Sequence, residues 1–221
     1  HLTLDELGRY FERVLSRPGG ALPGPPAAAG DLVDLAGGDV PLEARSIVLP
    51  VGISFFTFMG ISYVVDVFRG DFKPTGLGKF AAYLSFFPHL VAGPIVRPNE
   101  LIPQLDSPRD PRYVDTSRAF WLIATGLFMK VVIADTGLAD SADRVFAATG
   151  AVGFADAWLG TLAFSGQIFC DFAGYSNIAR GVSKLMGIEL NVNFRYPYFV
   201  ASPQAFWRHW HISLSTWLRD Y

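Results

Sequence analysis

Between Arg45 and Asp66 the chain runs for twenty residues, 46–65, without a charged side chain. At about 1.5 Å of rise per residue, a helix of that length crosses the roughly 30 Å hydrocarbon core of a bilayer. The competing reading is the core helix of a soluble protein, where so long an uncharged run is rare. Pro50 and Gly52 fall in its first turns, where a kink is easily accommodated. Composition agrees: 51% of the residues are hydrophobic and only 17% charged, against about 25% charged in a soluble domain. Mean hydropathy is +0.30. So much apolar and aromatic surface excludes a disordered chain. The single cysteine, Cys170, excludes a disulfide scaffold. A net charge of −2 with no basic stripe argues against nucleic acid as a partner.

The rest of the chain predicts an all-α, polytopic integral membrane protein with broken or re-entrant helices. Residues 1–45 read as a short amphipathic segment followed by a polar Pro/Gly loop. Residues 80–96 are uncharged apart from His89 but are interrupted by Pro88, Gly93 and Pro94. Such a segment is tolerated at membrane depth only when it is buried in protein or lines a cavity. An apolar helix is expected over 119–134, with Lys130 inside it. Residues 151–190 read as two apolar runs with Asp156, Asp171, Arg180 and Lys184 embedded, and 191–201 as an aromatic-rich linker. Ser202-Pro203 has the form of an N-cap followed by proline at the first helical position. A helix is expected from there to the end. The chain begins with His1 and stops at Tyr221 inside a periodic apolar pattern, so the reading is a fragment of a longer chain.

On a helical wheel, Trp207, Trp210, His211, Leu214, Trp217, Leu218 and Tyr221 fall within one arc of about 120°. His209 sits on the opposite, polar face with Ser213 and Asp220. A histidine on an apolar face is more often a core residue than a catalyst. Three features favour chemistry at His211: neighbouring tryptophans that would desolvate it, Ser215 one turn on as a possible hydrogen-bond partner, and its setting in a membrane segment.

Residues 206–221, Phe-Trp-Arg-His-Trp-His-Ile-Ser-Leu-Ser-Thr-Trp-Leu-Arg-Asp-Tyr, resemble the signature of the membrane-bound O-acyltransferase family, in its alginate O-acetylation branch. Three further segments resemble that branch in order: 49–58, 87–97, and 171–176 followed by 193–198. The resemblance covers about 45–221, so 46–221 is expected to be a partial domain of that family. It places the family histidine on His211, with His209 where the family usually has an arginine. It implies acyl transfer inside a bacterial inner membrane. The acyl group, acetyl in this branch, would pass from a cytoplasmic thioester such as acetyl-CoA to a hydroxyl of an exported polysaccharide. An extracytoplasmic acyltransferase can act as intermediary. No bound cofactor is implied. An alcohol is a poor nucleophile, so such a reaction needs a general base, and a buried histidine supplies one.

Other residues carry open readings. Asp171, in an apolar stretch, is a candidate acid or a packing partner. His89 is a pore-lining group or a structural one. Arg97 is a phosphate anchor or an interfacial anchor. Cys170 lacks a basic neighbour and reads as an inert thiol. No H-E-x-x-H, C-x-x-C pair or P-loop is present, so no metal site is expected. The alternative from another class is a transporter or channel subunit, with Asp171 and His211 on a polar path.

Overall fold

In a computed structural model of the protein, residues 52–107 and 110–221 are described. The segment expected at 1–45 and residues 46–51 of the charge-free run lie outside them. Among the described residues all regular structure is helical.

Helix α1 (Ile53–Arg69) carries most of the charge-free run. Gly52 lies before the helix rather than within it, as its left-handed cap at φ 80°. A Cβ there would stand 2.0 Å from the Leu90 carbonyl oxygen, so the position needs glycine twice over. Helix α2 (Leu77–Leu84) is followed by a 3₁₀ turn (Phe87–His89) and an irregular stretch to Arg97. The break expected in 80–96 is therefore present. Helix α3 (Pro98–Asp106) opens with proline at its first position.

One core joins these elements to the end of the chain. Met59, Tyr83, Val96, Leu101, Leu190 and Trp217 pack together in it. Its polar atoms are matched. The Tyr83 hydroxyl donates to the Val96 carbonyl at 2.8 Å, and the Trp217 indole N–H donates to Ser62 Oγ at 2.7 Å.

Helix α4 (Thr116–Leu127) runs without interruption through a π-helical stretch (Phe128–Leu138) into α5 (Ala139–Phe146). Asp115 caps it by accepting the Arg118 N–H at 2.9 Å. The helix expected over 119–134 is thus longer at both ends. Among the described residues this 31-residue unit is the one helix long and apolar enough to cross a membrane. Its side chains face outward: Phe120 is 65% exposed and Trp121 64%.

Helix α6 (Phe154–Leu185) spans 32 residues and replaces the two runs expected in 151–190. Glycine usually lowers the stability of a helix interior, but here glycines are where the helix meets its neighbours. A Cβ on Gly174 would stand 2.7 Å from the Gly126 carbonyl oxygen, and one on Gly126 would stand 2.6 Å from the Gly174 carbonyl oxygen. The buried residues of α6 are all Gly, Ala or Ser, while Trp158, Leu159 and Leu162 point outward. Small residues inside and large apolar ones outside is the pattern of helices packed in lipid, where apolar burial gives no advantage and close backbone approach does.

Ser202 caps α7 (Pro203–His209) as expected, its Oγ accepting the Ala205 N–H at 3.1 Å. The helix does not continue to the end. Trp210 is extended (ψ 128°) and His211 is left-handed (φ 41°, ψ 56°) before α8 (Ile212–Asp220) starts. The cause is tertiary: the Ile212 N–H donates to the Asn193 carbonyl at 2.9 Å instead of continuing the ladder of α7. The apolar periodicity that suggested one helix is real, but a wheel through 207–221 misplaces its two ends.

Candidate functional site

The break at 210–211 builds the surroundings of His211. Residues 193–195 run beside 209–212. The Arg195 N–H donates to the His209 carbonyl at 3.0 Å, opposite the Ile212–Asn193 bond. A non-glycine residue at positive φ costs on the order of 1–3 kcal/mol and persists only where its surroundings over-determine it. The Ser215 N–H then donates to the His211 carbonyl at 3.0 Å, starting α8.

Three phenylalanines from three parts of the chain surround the imidazole. Phe172 of α6 lies edge-on at 4.6 Å between ring centroids, Phe194 is stacked at 6.4 Å, and Phe55 of α1 lies at 6.4 Å. Edge-to-face packing holds a ring without giving it a hydrogen bond. His211 Nε2 is buried and has no hydrogen-bond partner among the described residues. A nitrogen so placed is open to a ligand that brings its own hydroxyl. Beyond Phe194 is a cavity of about 410 Å³ lined by Met129, Phe169, Ser176, Asn177, Asn193 and Arg195.

The other candidates are placed elsewhere. Among the described residues the hydrogen bond between Ser215 and His211 is the main-chain one, from the Ser215 N–H to the His211 carbonyl. His209 Nδ1 lies 2.7 Å from the Ala205 carbonyl oxygen, one turn back in α7, and so donates to it. His89 is 1% exposed beside Phe86, and neither ring nitrogen has a partner among the described residues. Arg97 donates to the Asp220 carboxylate at 2.5 Å and lies over the Tyr221 ring at 5.4 Å. Arg219 and Arg97 together hold the Asp220 carboxyl down at about 2. The pair therefore stays ionised at working pH, and Arg97 is committed to pinning the end of α8. No hydrogen bond or ion pair joins Asp171, His89 or Arg97 to His211 among the described residues.

Asp171 of α6 is paired with Lys130 in the π-helical stretch. The two charges sit midway along the two long helices, on faces packed against each other, where either alone would be costly. Removing one partner strands the other, whereas removing both leaves an apolar contact. Lys130→Ala and Asp171→Ala are therefore expected to lower the unfolding temperature of the detergent-solubilised protein more than the double variant does. Additive losses would show that the pair does not act as a unit.

Sequence reasoning missed Lys130 as the partner of Asp171, the phenylalanines around His211, and the amide of Asn193. No group of three or more His, Cys, Asp or Glu side chains converges among the described residues.

Residues 46–221 match the model of MBOAT, the membrane-bound O-acyltransferase family. The chain belongs to this family. The chain is 46% identical over 182 residues to a probable alginate O-acetylase, AlgI, of Pseudomonas putida, covering 82% of this chain and 37% of that protein. It is 34% identical over 206 residues to the peptidoglycan O-acetyltransferase of Helicobacter pylori, covering 81% and 39%. It is 32% identical over 180 residues to the teichoic acid D-alanyltransferase of Lacticaseibacillus rhamnosus, covering 77% and 44%. The chain thus spans about two fifths of the length of these relatives, and the MBOAT match over 46–221 includes the break at His211 and both long helices.

Proposed function

We propose that the full-length protein is a multi-pass O-acyltransferase of a bacterial inner membrane. It passes an acyl group, acetyl in this reading, from a cytoplasmic thioester donor such as acetyl-CoA to a hydroxyl of an exported polysaccharide. The transfer is direct or runs through an extracytoplasmic acyltransferase. The MBOAT membership and the acyl-transfer names of the relatives support the reaction class. The observation that carries the site is the buried, unpartnered Nε2 of His211 among three phenylalanines. In this reading α1, the α4–α5 unit and α6 cross the membrane, and 80–96 enters it without crossing.

His211 acts as the general base. Its Nε2 takes the proton of the acceptor hydroxyl as that oxygen attacks the thioester carbonyl. The C–S bond breaks, the ester forms, and the thiolate leaves and is protonated. The phenylalanines around the imidazole keep water from competing for the thioester. A transporter path through Asp171 and His211 finds less support, because Asp171 is neutralised by Lys130 and unconnected to His211.

The test uses membranes of the source bacterium, which hold the full-length protein together with any extracytoplasmic acyltransferase, radiolabelled acetyl-CoA and alginate. Base-labile label is expected on the polysaccharide. Label that stays in acetyl-CoA or appears only as free acetate would overturn the reading.

A further inference from the structure

Asn193 lies in the irregular segment after α6, is 1% exposed, and uses both ends of its amide on neighbouring elements. Its Oδ1 accepts the Ser213 N–H at 3.2 Å and the Ser213 hydroxyl at 3.0 Å. Its Nδ2 donates to Ser176 Oγ on α6 at 3.3 Å. Its carbonyl accepts the Ile212 N–H at 2.9 Å. Ser213 Oγ in turn accepts the Ile95 N–H at 2.9 Å from the irregular stretch after the 3₁₀ turn. Two separate parts of the fold, one of them held by α6 through Ser176, therefore bond directly to the first two residues of α8. The residue just before them is His211, in the strained left-handed conformation.

We propose that Asn193 is a positioning residue for the acyl transfer, clamping the first turn of α8 so that the His211 imidazole stays against Phe172 with Nε2 free. The inference rests on the reading of His211 as the base. The apolar periodicity of 207–221 favours one continuous helix, and the Asn193 bonds are what oppose it. Without the side-chain bonds only main-chain bonds, Ile212 to Asn193 and Arg195 to His209, hold the turn, and the imidazole is free to shift from Phe172. A group held by several converging bonds is fixed to within fractions of an ångström, which is what a base needs and what one backbone bond does not give.

The experiment compares the full-length protein with its Asn193→Ala and Ser213→Ala variants by two readouts. The first is steady-state kinetics with acetyl-CoA and alginate. A mispositioned base lowers kcat and leaves substrate binding nearly alone, so Asn193→Ala is expected to lose about 10- to 100-fold in kcat with KM within about threefold. The second is carbethoxylation of histidines read by mass spectrometry, which does not depend on the donor. His211 is expected to react several-fold faster in Asn193→Ala, while the fully buried His89 stays unreactive. His211 and His89 rising together would mean that the fold had simply opened, and would overturn the proposal. So would unchanged His211 reactivity, or a raised KM with normal kcat. Ser213→Ala removes the hydroxyl bond to Oδ1 and the acceptor of the Ile95 N–H, and keeps the Ser213 N–H bond to Oδ1. It is expected to move both readouts the same way by a smaller factor, and it decides the matter if Asn193→Ala does not accumulate. His211→Ala with normal kcat would instead overturn the base reading, whatever the Asn193 variants do to histidine reactivity.

Discussion

His211→Ala in the full-length protein is expected to abolish detectable transfer of acetyl to polysaccharide while the protein still accumulates in the membrane. General-base catalysis contributes about 10²- to 10⁴-fold, and the fall should lie in or beyond that range. His211→Gly makes the test sharper. Glycine accepts φ 41° without strain, so this variant should be at least as stable as His211→Ala and equally inactive. Loss in both variants assigns the effect to the imidazole rather than to the turn. His209→Ala is the control. Its Nδ1 is bonded within α7 to the Ala205 carbonyl, and that bond is worth only about 1 kcal/mol. Acetylation close to the parent's is expected there. Transfer at the parent's level in His211→Ala, measured as acetyl ester per unit of protein, would remove His211 from the chemistry.

The second large effect is structural. Gly174→Leu is expected to give no folded protein, and Gly174→Ala a clearly less stable one. An added Cβ would stand 2.7 Å from the Gly126 carbonyl oxygen and 3.0 Å from the Lys130 nitrogen, and both are backbone atoms that cannot rotate aside. Overpacking of this kind costs typically 1–3 kcal/mol even for small additions. Gly60→Ala is the comparison. Gly60 lies inside α1 with nothing within 4 Å of its would-be Cβ, so alanine there should be neutral or stabilising by up to about 1 kcal/mol. Thermal unfolding of the detergent-solubilised protein reads both. Equal stabilities for Gly174→Ala and Gly60→Ala would contradict the close approach of α4 and α6.

Features set by a few neighbouring residues were legible in the sequence. Ser202 and Pro203 cap α7 as their types demand, and Pro88 lies in the break of 80–96. His211 stood out because a histidine among tryptophans is chemically conspicuous. What eluded the reading depends on residues far apart in the chain. Lys130 and Asp171 are separated by 41 residues, and Asn193 and Ser213 by 20. No periodicity announces such pairs. The same cause misled the wheel over 207–221: local propensity favoured helix at Trp210 and His211, and the Asn193 bonds overrode it. The glycines of 151–190 carried no expectation of their own. They went unread as contact points, yet they allow one helix to lie against another. The π-helical stretch left no local mark.

The meeting of Gly126 with Gly174 has a consequence for how such a protein can vary. Where main chain rests on main chain, the spacing of the two helices no longer depends on the side chains that coat their outer faces. Phe120, Trp121 and Val131 on one helix, and Trp158, Leu159 and Leu162 on the other, are exposed and take no part in setting that spacing. Exchanging them for other apolar residues leaves Lys130 opposite Asp171. The outer coat can then drift with the lipid composition of the host membrane, while the inner geometry is inherited unchanged.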